Sequence, residues 1–155
     1  MDNLPSNNSA VEYYRLWHKI EELYEIYAKS FGISSSTLAV VCIINQYQGK
    51  CTQKLICERS FLPKQTVNVV INNFLKKGFI ELIESKSDRR IKIIHLTNIG
   101  KKYVNGITRK LINAEEKAMD SLSQEQIAEL LNSTNIYYNS FKETITKAIE
   151  IVTKK

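Results

Sequence analysis

Between Phe61 and Thr97 the hydrophobic pattern changes abruptly from a helical period to strand-like runs, with a glycine at the junction. Placed at 100° per residue, Val67, Val70, Ile71 and Phe74 share one narrow arc, which predicts an amphipathic helix over 63–77. Gly78 follows as a natural helix stop, and Pro63 is expected at the first helical position, where its missing N–H costs nothing. Two short apolar runs come next, at 79–84 and 91–96, around the polar tip Ser85-Lys86-Ser87-Asp88-Arg89-Arg90. A helix with one face to bury, followed at once by a basic hairpin, leaves few folds open.

The arc opposite the apolar one holds Gln65, Val69, Asn72 and Lys76, flanked by Asn68 on one side and by Thr66 and Asn73 on the other. A face kept only for solubility would normally mix Glu with Lys. This one carries amides, a hydroxyl and no acid. Amides and hydroxyls are short donors and acceptors suited to base edges, whereas acids would repel phosphates. Val69 reads either as an ordinary exposed valine or as a contact for a thymine methyl. Helix plus hairpin is therefore the layout of a winged helix-turn-helix, in which one helix enters the major groove and the hairpin reaches the flanking backbone or minor groove.

The rest of the chain supplies helices around this lobe. Residues 10–30 carry a broad aromatic stripe (Tyr13, Leu16, Trp17, Ile20, Leu23, Tyr24, Tyr27), wider than one packing face needs. A Ser-rich cap at 34–36 opens a second helix near 37–48, with Leu38, Val41, Cys42 and Ile44 expected inward. Thr52 can cap a short third helix, 53–59. After the hairpin, Thr97 caps a fifth helix to about Met119, and Ser123 with Gln126 forms a capping box for a sixth that reaches Val152. The fold class read from this is mostly α with a small β-hairpin wing, six helices in all. Its organisation is a single domain over 1–155, with the winged lobe at 35–98.

Net charge sharpens the reading. The formal charge is +6, and residues 50–92 alone hold ten Lys/Arg against four acids, so the entire excess lies on and around the helix and hairpin. A phosphate-facing surface requires that placement. No apolar run approaches the ~20 residues that span a bilayer. The opening residues lack the basic flank and apolar core of a signal peptide, so a cytoplasmic location without membrane attachment is expected. Cys42, Cys51 and Cys57 fit no zinc spacing, and no metal or cofactor is expected. Cys42 and Cys57 read as small core residues; the redox alternative has Cys51 and Cys57 flanking the short third helix.

Asp88-Arg89-Arg90, five further residues and then Leu96-Thr97-Asn98-Ile99-Gly100 fit D-x-R-x5-L-T-x-x-G throughout. With FLKKGFIEL and CTQKLIC, this makes the chain resemble the multiple antibiotic resistance regulator (MarR) family over essentially its whole length. The resemblance implies a DNA-binding transcriptional repressor that binds an inverted-repeat operator. It also implies a homodimer built from the N- and C-terminal helices, here 10–32 and 99–152. By the match, Arg90 is the wing arginine for the minor groove, Asp88 orients it, and Arg89 and Lys92 add phosphate contacts. The remaining candidates for double-stranded DNA are Thr52, Lys54, Lys64, Gln65, Thr66, Asn68, Val69 and Asn72. Members often carry Ser/Thr then Arg where this chain has Asn68 then Val69, so an A/T-richer site is expected.

The resemblance further implies a small aromatic or lipophilic effector. Tyr14, Trp17, Tyr24 and Tyr47 are candidates to line its pocket, against the plainer reading of aromatic residues at helical spacing as core. A different class of function is a protein-interaction module whose basic face binds an acidic partner. The acid-free helix face argues against it. An enzyme is not expected: there is no paired Glu/His cluster, no Gly-rich phosphate loop and no nucleophile with a nearby base.

Overall fold

Capping chemistry sets where the helices begin. In the computed structural model, which describes residues 8–153, the elements are α1 (Asn8–Ser30), α2 (Ser35–Gln46), α3 (Gln53–Ser60), α4 (Lys64–Lys76), β1 (Ile80–Glu84), β2 (Lys92–Leu96), α5 (Asn98–Asp120) and α6 (Gln124–Thr153). Residues 1–7, on which the expectation about a leader peptide rests, lie outside the described residues. Six helices and one antiparallel hairpin among the described residues are the expected winged, mostly helical fold. The chain divides into two compact units, one through Arg109 and one from Lys110.

In the first unit, Ser34 Oγ accepts from Thr37 N at 3.1 Å, so α2 starts two residues earlier than expected. Thr52 Oγ1 accepts from Leu55 N at 3.1 Å and caps α3, as its sequence position predicts. Pro63 departs from expectation. With φ −56° and ψ 141° it is the N-cap of α4, not its first helical residue. The ring fixes φ but leaves ψ free, and the extended ψ lets Pro63 O accept from Val67 N at 3.2 Å. At the far end Gly78 takes φ +68°, Gly78 N reaches Leu75 O at 3.0 Å, and Phe79 N reaches Phe74 O at 2.9 Å. This pair of bonds is a Schellman stop, and the Phe74 and Phe79 rings meet edge to face across it at 5.7 Å.

The core of the first unit is where the period placed it on α4. Val67, Val70, Ile71 and Phe74 are all buried, together with Leu38, Val41 and Ile44 of α2, Ile56 of α3, Ile80 and Ile94 of the hairpin, and Val104 and Ile107 of α5. Each such side chain contributes about 1.5–3 kcal/mol on burial. On α2 the inward set differs from expectation: Val40 and Ile43 are buried as well, and Cys42 is only half-buried. A helix packed on more than one side buries more than one stripe. The cysteine reading is likewise corrected. Cys51 is the fully buried thiol, while Cys42 and Cys57 are half-buried.

The hairpin pairs Ile80 with Leu96 through Glu84 with Lys92. A third segment joins it. Ile94 N donates to Cys51 O at 2.7 Å and Thr52 bridges Ile93, so the residues just before α3 lie along the free edge of β2. The wing and the start of α3 are thereby one hydrogen-bonded body.

Two helices leave apolar surface uncovered. On α1, Tyr14, Leu16, Trp17, Ile20 and Leu23 are exposed, against the plainer expectation that its aromatic residues are core. The end of α1 is anchored: Ala28 is buried, and Tyr27 Oη donates to Ile107 O at 2.6 Å. In the second unit α6 opens with the expected capping box, Ser123 N to Gln126 Oε1 at 2.8 Å and Gln126 N to Ser123 Oγ at 3.2 Å. Leu131, Ile136, Phe141, Ile145 and Ile149 along it are all exposed.

Candidate nucleic-acid interface

The packing of α4 decides which of its residues can meet a ligand. With Val67, Val70, Ile71 and Phe74 facing the core, Lys64, Gln65, Asn68, Val69, Asn72, Asn73 and Lys76 are exposed and Thr66 is half-buried. The exposed face holds no carboxylate within the helix, so nothing on α4 itself opposes an approaching phosphate. Val69 is 55% exposed, a branched apolar surface among amides.

Asn68 is not isolated. Gln53 Nε2, at the first residue of α3, donates to Asn68 Oδ1. This partner was missed in the sequence, where Thr52 and Lys54 on either side were singled out. A contact between residues fifteen apart depends on how α3 crosses α4, which no local pattern encodes. Thr52 is half-buried and its hydroxyl is engaged in capping α3; Lys54 is exposed and lies 3.8 Å from Glu58.

The loop between α3 and α4 holds a second feature that periodicity could not disclose. Phe61 takes φ +55° and ψ 15°, a left-handed conformation unusual for a side chain of its size, and is 88% exposed. It ends α3 as a glycine often would, with Phe61 N donating to Cys57 O at 3.0 Å.

At the wing tip Asp88 does two jobs. Its Oδ1 accepts from Arg90 N at 3.0 Å and from Arg90 Nε at 3.1 Å, and its Oδ2 accepts from Arg90 Nη2 at 3.0 Å. The fork holds a side chain that is otherwise 90% exposed. The guanidinium bonds, and then the Arg90 backbone N–H, hold the Asp88 carboxyl below the usual aspartate range, and the same pairing raises Arg90. Two of the five guanidinium N–H donors are used, leaving the rest directed away from Asp88. Ser85 and Ser87 tie the other half of the tip together through their hydroxyls at 2.9 Å. Arg89 is exposed, whereas Lys92 Nζ sits 2.7 Å from Glu84 Oε1 across the hairpin, so this lysine is partly committed to its own strand pair.

Directly below the wing, the Leu96-Thr97-x-x-Gly100 end of the motif has a physical reason. Thr97 Oγ1 donates to Gly78 O at 2.6 Å and accepts from Gly100 N at 3.1 Å, while Thr97 N donates to Phe79 O at 3.0 Å. A Cβ on Gly100 would stand 1.8 Å from Phe79 O. The motif thus clamps the start of α5 onto the stop of α4, and the Phe79 and Tyr103 rings stack at 4.3 Å beside it.

The four aromatic candidates for an effector do not behave alike. Tyr14, Trp17 and Tyr24 are exposed on α1, with Tyr14 packed edge to face on His18 at 4.2 Å. Tyr47 ends α2 half-buried, with the Arg59 guanidinium 5.6 Å over its ring. Cys51 lies beneath the wing edge, and burial pushes its thiol up to about 12. A thiol held neutral in this way is a poor nucleophile, which opposes the redox reading for Cys51. Among the described residues no group of three or more His, Cys, Asp or Glu is placed to hold a metal ion. Nor is any single helix among them long and apolar enough to cross a membrane.

No curated protein matches the sequence. Solved structures do. The chain is similar to NMB1585, a MarR family regulator from Neisseria meningitidis, at 25% identity and TM-score 0.68 over 88% of this chain and 97% of that one. It is similar to Streptococcus pneumoniae FabT in complex with DNA, at 22% identity and TM-score 0.63 over 89% and 99%. It is also similar to Bordetella bronchiseptica BpsR, whose DNA binding is regulated by 6-hydroxynicotinic acid, at 14% identity and TM-score 0.65 over 89% and 98%. The family model described as MarR family matches residues 31–91, which run from the end of α1 through the wing tip. Residues 31–91 thus match the MarR family model, and nearly the whole chain is similar in fold to a solved MarR family regulator with a winged helix-turn-helix lobe.

Proposed function

We propose that this chain is a transcriptional repressor that binds an inverted-repeat DNA operator as a homodimer. α4 enters the major groove and the Asp88–Arg90 wing reaches the adjacent minor groove. The observation that carries the reading is the pairing of an acid-free, amide-rich exposed face on α4 with a fully projecting, carboxylate-oriented arginine in the same compact unit. Lys64, Gln65, Thr66, Asn68, Val69 and Asn72 would face bases or their phosphates; Lys54, Arg89 and Lys92 would add backbone contacts, and Thr52 would act by holding α3.

Homodimerisation is supported by the apolar side chains left uncovered on α1 and α6, among them Trp17, Leu23, Leu131, Phe141 and Ile149. Rows of this length exceed what a soluble monomer usually exposes. A twofold dimer would set two α4 helices about 34 Å apart, one turn of DNA, which demands an inverted repeat. Modulation by a small aromatic or lipophilic molecule is carried over from the BpsR likeness, with Tyr14, Trp17, Tyr24 and Tyr47 as candidate contacts. Such a ligand would act by favouring one spacing of the two reading lobes.

The test is DNA binding by the intact protein to duplexes selected from a random pool and to the DNA upstream of its own gene. Arg90→Ala and Asn68→Ala should each weaken binding by roughly tenfold or more, Arg90→Ala at the flanks and Asn68→Ala at the half-site core. If both variants bind like the parent, the DNA-reading role fails and the basic face becomes a site for an acidic protein.

A further inference from the structure

The contact between Gln53 and Asn68 joins the first residue of α3 to the middle of the exposed face of α4. Both residues stand on fixed supports. α3 begins at Thr52, whose hydroxyl caps the helix and whose backbone bridges Ile93 of the wing, and Cys51 O is bonded to Ile94 N. Asn68 follows Val67, which is fully buried. The two amides thus meet between rigid elements, the condition for a recognition group to hold its geometry.

We propose that Gln53 and Asn68 act as one amide pair that reads a single A·T position in each half-site, with Gln53 as the specificity-positioning residue. The inference rests on the DNA-reading role proposed above. A primary amide offers a carbonyl acceptor and an NH2 donor, and a lone asparagine can turn its terminal torsion to present either. In the pair, Gln53 Nε2 is spent on Asn68 Oδ1. Asn68 then presents its NH2, and Gln53 its carbonyl. If both amides were turned end for end the bond would reverse, yet one donor and one acceptor would still face outward.

A donor beside an acceptor complements the purine edge of A·T, where adenine offers N7 as acceptor and N6 as donor; guanine offers two acceptors there. Val69 strengthens the choice. It is exposed beside Asn68, and its methyls suit the thymine C5-methyl that cytosine lacks. Without Gln53 the Asn68 amide is free to rotate and accepts either base pair. A side chain on α3, outside the recognition helix, thereby sets what the recognition helix reads.

The experiment uses the full-length protein and a pool of randomised duplexes, with Gln53→Ala, Asn68→Ala and the double variant beside the parent. Affinities are then measured for the selected duplex and for each of its single base-pair replacements. The parent should discriminate A·T from G·C at one position per half-site by roughly 5- to 150-fold. Gln53→Ala should flatten that position, with the loss confined to it. The double variant should lose no more than Asn68→Ala, the non-additivity expected of groups that act together. Selection of the same duplexes with the same discrimination by Gln53→Ala would overturn the pair, as would a loss spread evenly over all positions, which marks a structural role. If Asn68→Ala alone changes the preference, DNA reading stands and the pair falls. If the parent selects no duplex at all, the DNA-reading role fails and the pair with it.

Discussion

Gly100 offers the sharpest test of how the lobe is held together. A methyl group added there would lie 1.8 Å from Phe79 O, 2.7 Å from Phe79 C and 3.1 Å from its Cα. An ordinary carbon–oxygen contact needs nearly twice the first distance, so α5 and the start of β1 would have to separate by roughly 1.5 Å. The obstruction is backbone and cannot rotate away. Phe79 O also accepts from Thr97 N and Oγ1, and Thr97 in turn holds Gly78 O and Gly100 N. Forced overpacking costs about 1–3 kcal/mol, and one or two lost hydrogen bonds add about 1 kcal/mol each. Alanine recovers about 1 kcal/mol of helix propensity. The net loss expected for Gly100→Ala is therefore about 3 kcal/mol, a fall in Tm of roughly 6–12 °C for a chain of this size.

Gly106 supplies the control, since it lies in the same helix and a Cβ there meets nothing within 4 Å. Gly106→Ala retains only the propensity gain, so Tm should rise by roughly 2–4 °C. Thermal melts of both variants and the parent at one fixed protein concentration, followed by helix circular dichroism, decide the matter. If Gly100→Ala melts at or above the parent, the clamp between α5 and the stop of α4 is not a real constraint, and the physical account of the Thr97-x-x-Gly100 motif is wrong.

Three further outcomes are expected. Phe61→Gly should stabilise the fold by up to about 1 kcal/mol, because it relieves a left-handed residue while removing a side chain that is 88% exposed; a lower urea midpoint would show that Phe61 makes native contacts. In the folded protein at pH 8, Cys51 should resist alkylation that labels Cys57, and should react only on unfolding; mass-spectrometric labelling of Cys51 at the rate of Cys57 would contradict its burial and its neutral thiol. The Asp88 carboxyl, lowered on folding, contributes stability that is present above the ordinary aspartate value of 3.8 and is lost as pH falls through its lower folded value. Carbon-13 titration should accordingly give a midpoint below 3.8 that moves back toward it in Arg90→Ala, and an unchanged midpoint would mean that the wing-tip fork is not formed in solution.

Much of this protein is local chemistry and could be read directly from the chain. The four core positions of α4 follow from the helical period alone, and the polar arc opposite them is exposed as that period requires. Thr52, Ser34 and the Ser123/Gln126 box mark helix starts because a capping side chain needs only backbone N–H groups two or three residues away. Asp88 and Arg90 are two residues apart, so their fork is again a short-range matter.

Tertiary structure decided what depends on long-range approach. The Gln53–Asn68 amide contact, the edge pairing of Cys51 and Thr52 with β2, and the collision that reserves position 100 for glycine each join segments many residues apart. Their geometry is set by how helices cross and strands align, and periodicity carries no information about either. The same reason explains the inverted cysteines. Cys51 is buried because β2 lies against it, whereas Cys42 and Cys57, inward by pattern, lie at the margins of helices whose buried stripes run elsewhere. The apolar rows on α1 and α6 could be read as rows from sequence, but only the folded structure shows that each remains uncovered by its own unit.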